Sequence, residues 1–78
     1  MPTPIVLPEL GAGDAVVSVS SWFVAVGERV EAGDWVVEVQ LPGTTFDVSA
    51  PIAGVVARKE KLVGATIRTG EVLGWLET

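Results

Sequence analysis

The chain has 78 residues, with ten acidic and five basic side chains, and it contains no histidine or cysteine. This length limits it to one small domain, residues 1–78, and the lack of cysteine excludes disulfides, thiol nucleophiles and thiolate metal sites. Without histidine, the commonest general base and metal ligand is missing. We therefore expect no catalytic residues, no metal ligands and no enzymatic activity of the chain by itself.

The acidic charge lies in the first half: residues 1–39 carry a net charge of −5, whereas residues 40–78 are neutral overall. This charge is interpreted as a solvated surface, or alternatively as steering toward a basic partner. The clustered lysine and arginine that phosphate contacts need are absent, which predicts no nucleic-acid partner. No apolar run approaches the roughly 20 residues of a membrane span. We expect a cytoplasmic chain that is monomeric as an isolated domain.

Short runs of β-branched and aromatic residues predict an all-β chain. Glycine and proline separate these runs, and no helical period extends over about ten residues. Seven or eight short strands in a sandwich or barrel are predicted, with the three tryptophans in the core or half-buried. The clearest strands, in chain order, are Val16–Val19, Trp22–Val26, Trp35–Val39, Thr45–Val48, Gly54–Ala57 and Val72–Leu76.

An internal repeat divides the chain into two similar halves. A shift of 37 residues places Val26-Gly27 on Val63-Gly64, and Gly33-Asp34 on Gly70-Glu71. Each glycine is typical of a turn with positive φ, and each neighbouring acid occupies a position typical of turn polar groups. Because neither half could bury its apolar face alone, the repeat predicts two β units related by a pseudo-twofold.

The junction between the halves carries the turn signal Leu41-Pro42-Gly43-Thr44. Proline and glycine suit the two central positions of a type II turn. That turn does not match the twist of a tight two-residue hairpin, so we expect a somewhat wider loop. As a connection between strands, it should be exposed.

Taken together, these segments resemble the lipoyl domain of the acyltransferase component of 2-oxo acid dehydrogenase complexes, within the biotinyl/lipoyl carrier family. Ile5–Gly11 resembles the family's opening strand and Pro-x-Leu-Gly turn, and Trp22–Asp34 resembles its Trp-x-Val-x-x-Gly-Asp segment. Val48–Val56 resembles the stretch after the central hairpin, and Thr69–Leu73 the closing turn. The resemblance covers nearly the whole chain. It implies a flattened barrel-sandwich hybrid of two four-stranded sheets with pseudo-twofold symmetry.

The resemblance also implies a carrier function, in which lipoate is attached to one lysine at the tip of the central hairpin. Typical members read Glu-Thr-Asp-Lys-Ala there. Counting back from Ala50-Pro51 without a gap, Gly43 takes the lysine position, with Pro42 and Thr44 beside it. We therefore expect no cofactor at the hairpin Leu41, Pro42, Gly43, Thr44; lipoate is expected only if the family function is retained.

The leading hypothesis is a lipoyl-like domain without an acceptor lysine that acts as a non-acylated structural or interaction module. One alternative is a carrier domain modified at Lys59 or Lys61, which we otherwise interpret as an exposed charged edge. Another is a barrel-sandwich module of a larger assembly. The resemblance implies 2-oxo acid dehydrogenase components as partners. It also implies that the loop after the first strand contributes to docking, through Glu9, Gly11, Gly13 and Asp14.

Overall fold

The computed structural model describes all residues, 1–78, and contains eight strands joined by turns. None of its elements is a helix long and apolar enough to cross a membrane. Valine is the main strand-forming residue, as its branched side chain favours the pleated backbone. The strands are β1 (Pro2–Val6), β2 (Val17–Trp22), β3 (Arg29–Val30), β4 (Trp35–Leu41), β5 (Thr44–Ser49), β6 (Gly54–Lys59), β7 (Thr66–Ile67) and β8 (Val72–Glu77).

The strands form two four-stranded antiparallel sheets, in the orders β1-β8-β6-β3 and β5-β4-β2-β7. Each half of the chain contributes strands to both sheets, so the halves interlock and neither sheet belongs to one half alone. The predicted all-β fold of two four-stranded sheets is therefore confirmed.

Backbone hydrogen bonds repeat between the two halves, as the 37-residue shift predicts. Gly27 N donates to Val56 O at 2.7 Å, and its counterpart Gly64 N donates to Val19 O at 2.8 Å. The region of the first strand is related to its counterpart by a larger offset. Gly33 N donates to Ala50 O, and its counterpart Gly70 N donates to Leu7 O, so Leu7 corresponds to Ala50. The difference arises in the connection between β1 and β2, residues 7–16, which is longer than the connection between β5 and β6, residues 50–53. The loop of residues 7–16 therefore has no counterpart of the same length in the other half.

The core lies between the two sheets and is entirely apolar. Seventeen residues are buried, fifteen hydrophobic residues together with Gly54 and Gly74, and no polar or charged residue is among them. Val36, Val37 and Val39 on β4 are fully buried, and β8 contributes Leu73 and Leu76. Burial of a valine or leucine side chain contributes about 1.5–3 kcal/mol relative to an exposed one, so this apolar layer is the main source of stability.

Two predictions about the aromatic segments are wrong. Trp22–Val26 is not a strand, because β2 ends at Trp22 and the chain turns through Phe23–Glu28 before β3. Trp35 is not in the core but 64% exposed at the start of β4. Trp22 and Trp75 are half-buried as predicted, and their indole N–H groups donate to Lys61 O at 2.8 Å and to Glu60 Oε1 at 3.2 Å.

Candidate functional site

The central hairpin joins β4 to β5 with a two-residue turn. Leu41 and Thr44 are the last paired residues, so Pro42 and Gly43 form the whole apex. The predicted wider loop is therefore wrong, while the predicted exposure is confirmed for both apex residues. Gly43 has a φ of 76°, a conformation that glycine adopts at no steric cost. The positive φ of glycine lets the strands close over two residues.

Gln40 fixes the base of this turn. Its Nε2 donates to the carbonyl of Leu41 at 2.7 Å and to the carbonyl of Thr44 at 2.8 Å. These bonds hold both sides of the apex to one side chain, so the turn has a defined shape.

The apex does not fit a covalently attached lipoyl group. Attachment through an amide requires a primary amine, and the side chains of Pro42, Gly43, Thr44 and Thr45 contain none. A Cβ added at Gly43 would meet no atom within 4 Å. The apex therefore has space for a side chain but lacks the chemical group that the attachment needs.

Lys59 and Lys61 lie at and just after the end of β6, away from any hairpin tip. Both are half-buried, so their interpretation as an exposed charged edge is wrong. Lys59 Nζ lies 5.2 Å from the centre of the Trp22 ring, a cation–π distance. Lys61 Nζ lies 3.4 Å from Glu71 Oε2. Each amine is therefore held against the body of the domain, in contrast to an amine on an exposed turn.

The loop between β1 and β2 lies beside the central hairpin. β2 starts at Val17, and Ser18 pairs with Gln40 next to the turn, so residues 7–16 reach the same end of the sheet. Leu10 and Ala12 pack against the core, and a cavity of about 540 Å³ lies between the loop and β7.

The predicted docking residues all lie on the exposed side of this loop. Glu9 Oε1 accepts a hydrogen bond from Gly11 N at 2.7 Å, and Gly11 and Gly13 have positive φ. Asp14 is exposed, and its carboxylate makes no hydrogen bond or ion pair within the chain. The structure thus brings the predicted docking loop and the hairpin to one end; the docking role itself stays a prediction.

Three further carboxylates, those of Glu28, Asp34 and Glu71, accept hydrogen bonds from turn backbone. Asp34 Oδ2 accepts from Glu31 N at 2.8 Å, and its repeat counterpart Glu71 Oε1 accepts from Arg68 N. This confirms the expectation that the acids after the repeat glycines serve turns. No group of three or more acidic side chains is arranged to hold a metal ion.

A second concave surface was not predicted from the sequence. Phe23 and Trp35 line an open groove together with Asp47. The sequence did not indicate it, because Phe23 was assigned to a strand and Trp35 was expected to be buried. Glu28 and Asp34, which also line the groove, belong to the acidic excess of the first half, whereas Asp47 lies in the neutral second half.

The two four-stranded sheets and the central hairpin define a barrel-sandwich domain. A profile of the biotin/lipoyl family, whose description reads "Biotin-requiring enzyme", matches residues 3–76. The chain belongs to this family.

Relatives and solved structures agree with this assignment. The chain is 27% identical over 74 residues to the dihydrolipoyllysine-residue succinyltransferase component of the 2-oxoglutarate dehydrogenase complex from Rickettsia typhi, covering 95% of this chain and 19% of that protein. It is 31% identical over 77 residues to the protein of that name from Bartonella vinsonii, covering 99% and 19%. The chain thus spans about a fifth of the length of these relatives.

The solution structure of the lipoyl domain of the 2-oxoglutarate dehydrogenase complex from Azotobacter vinelandii superposes with a TM-score of 0.69. Identity is 30%, and the match covers 92% of this chain and 87% of that one. The chain therefore has the fold of a lipoyl domain.

Proposed function

We propose that this chain is a lipoyl-type domain that carries no lipoyl group on its central hairpin and acts as a non-acylated interaction module. The observation that carries the proposal is the apex itself, which consists of Pro42 and Gly43 and offers no amine. The domain has no nucleophile and base pair of its own, so its role is binding rather than catalysis.

The proposed partners are components of a 2-oxo acid dehydrogenase complex. Support comes from the relatives, which are named as components of the 2-oxoglutarate dehydrogenase complex. The end that holds the hairpin and the loop of residues 7–16 is the proposed contact surface. Glu9 and Asp14 line the cavity at this end against a single base, Arg68, and this acidic excess favours a basic surface on the partner.

The absence of an attached group is tested by intact mass. The purified chain is incubated with lipoate ligase, ATP and lipoate, and in parallel with biotin ligase, ATP and biotin. We expect an unchanged mass in both reactions, with a lysine-bearing lipoyl domain as the positive control. A mass increment would contradict the proposal, and Lys59→Arg and Lys61→Arg variants would then identify the modified amine.

The docking surface is tested separately by NMR titration with the decarboxylase component of such a complex. Asp14→Asn should weaken binding by about threefold or more, since one charge contact at an interface is removed. Glu77→Gln removes an exposed charge beside the chain termini and serves as the matched control. Equal affinities of the two variants, or perturbations confined to other surfaces, would contradict the proposed contact end.

A further inference from the structure

The groove beside Phe23 and Trp35 lies at the end of β4 away from the hairpin. Phe23 N donates to Val36 O at 2.9 Å, which places the two aromatic residues on neighbouring chain segments. Trp35 is 64% exposed and Phe23 46% exposed. The groove has a volume of about 500 Å³, and Val24 and Val30 contribute core residues to its lining. Its walls are therefore aromatic and its base is fixed by the core.

The indole N–H of Trp35 makes no hydrogen bond within the chain, in contrast to those of Trp22 and Trp75. Tryptophan and tyrosine are enriched at interfaces because one part of the ring is apolar while the polar group seeks a partner. An exposed tryptophan at a concave surface thus fits a binding role.

Asp47 places a carboxylate in the lining of the groove. Its Oδ1 is buried and has no hydrogen-bond partner. Asp47 also pairs directly with Glu38 across β4 and β5, and like charges in such a pair are destabilising. Glu38 is bonded to Ser20 Oγ at 2.9 Å, but no donor reaches Asp47 Oδ1. A cation bound beside the Asp47 carboxylate would relieve the repulsion between Asp47 and Glu38.

The charges around the groove favour a positively charged occupant. Glu28, Asp34 and Asp47 line it against a single base, Arg29, which leaves a net charge of −2. Arg29 Nε lies 3.2 Å from Glu31 Oε2, so this base is already paired. No other base lines the groove.

We propose that the groove binds an arginine side chain from an extended segment of a partner protein. The planar guanidinium stacks on the exposed face of Trp35 and forms an ion pair with the carboxylate of Asp47 in the groove lining. Arginine fits better than lysine because it combines stacking with directed N–H donors, whereas an ammonium is a compact, strongly hydrated charge. The apolar lining beside Phe23 receives the neighbouring aliphatic part of the segment.

This inference does not rest on the absence of a lipoyl group. Trp35 lies six positions before Leu41 on β4, a distance of roughly 20 Å along an extended strand. A lipoylated hairpin would leave the groove unchanged, and an empty groove would leave the hairpin proposal unchanged.

The test uses the peptide acetyl-Leu-Arg-Leu-Arg-Leu-amide as the probe, titrated into the ¹⁵N-labelled chain. We expect saturable shifts of the Trp35 indole N–H and of the Asp47 amide, while Gly43 stays unaffected. Binding should weaken as salt is raised, because part of the attraction is between charges. Peptides with glutamate or lysine in place of arginine serve as probes of charge and of geometry.

Two variants assign the binding to the proposed contacts. Trp35→Ala and Asp47→Asn should each raise the Kd for the arginine peptide by about tenfold. Leu62→Ala, at a position that is also 64% exposed, and Glu77→Gln are the matched controls and should leave the Kd unchanged. Amide spectra establish that every variant is folded, and Asp47→Asn retains all apolar contacts.

Several results would overturn the proposal. They are the lack of saturable binding at millimolar peptide, equal binding of the lysine or glutamate peptide, or an unchanged Kd in both groove variants. Shifts centred on the hairpin or on residues 7–16 would also contradict it. Concentration-dependent dimerisation that Trp35→Ala abolishes would assign the groove to a second copy of the chain and likewise exclude the partner segment.

Discussion

Gly43 sets both the shape and the chemistry of the central hairpin. Its φ of 76° lies in the region that favours glycine, while the space around it is open. The restriction on substitution therefore comes from the backbone and not from packing. Gly54 presents the opposite case, because its backbone is packed against β8 and a Cβ there would lie 2.7 Å from Glu77 O.

The two glycines should respond differently to alanine. Gly43→Ala should lower the free energy of unfolding by about 1 kcal/mol, the cost of a left-handed residue with a Cβ. Gly54→Ala should lower it by more than about 2 kcal/mol, because the added methyl meets backbone that cannot move aside easily. Urea denaturation of both variants checks the order. A larger loss at Gly43 than at Gly54 would contradict the described packing.

At the scale of elements, the strands were predictable where apolar residues alternated with polar ones or formed a continuous run. Trp35–Val39, Gly54–Ala57 and Val72–Leu76 all fall within observed strands. The segment Trp22–Val26 was assigned wrongly because its apolar residues are divided: Val24 is buried, whereas Phe23 and Val26 face solvent in a turn. Hydrophobicity alone does not distinguish such a turn from a strand.

The position of the hairpin apex was predictable because proline and glycine define a turn by their own backbone preferences, although the predicted width of the loop was wrong. The groove was not predictable, since it depends on Phe23, Trp35 and Asp47 meeting from three different segments. Its aromatic residues look like core residues in the sequence. Only the fold reveals that they are on the solvent side.

The repeated turns after β3 and β7 each contain a carboxylate that accepts a backbone N–H. The contribution of each carboxylate to the free energy of unfolding can be measured. Asp34→Ala and Glu71→Ala each remove an acceptor for one backbone N–H. Each should lower the free energy of unfolding by about 1 kcal/mol, the typical contribution of such a bond. The two losses should add in the double variant, because the sites share no partner. Urea denaturation checks this, and strong non-additivity would contradict independent turns.

At the scale of the whole molecule, the pseudo-twofold relates the central hairpin to the chain termini. Leu41 corresponds to Thr78 under the 37-residue shift. Thr44 at the start of β5 corresponds to Met1 before β1 under the larger offset that places Leu7 on Ala50. Thr78 Oγ1 donates to Met1 O at 3.1 Å, so the termini already lie side by side. Pro42-Gly43 is the connection that the opposite end lacks.

Joining Thr78 to Met1 through an added Pro-Gly dipeptide should therefore stabilise the domain. A closed chain of this length loses conformational entropy in the unfolded state, and we expect a gain of about 3–4 kcal/mol. The measurement is the urea midpoint of the cyclic chain against a linear chain with the same dipeptide appended. A cyclic chain of equal or lower stability would contradict the proposed correspondence between the termini and the hairpin.

The chain has the fold of a lipoyl domain, and we propose that Gly43 stands at the position of the acceptor lysine on its hairpin apex. The most direct test restores that amine, in Gly43→Lys and in Pro42→Asp/Gly43→Lys, the second variant also removing the fixed φ of proline. Both are incubated with lipoate ligase, ATP and lipoate beside the unaltered chain, and intact masses are measured. We predict the mass of one lipoyl group on the double variant, attached at residue 43, and none on the unaltered chain. A folded double variant that stays unmodified, or modification of the unaltered chain, would contradict the claim.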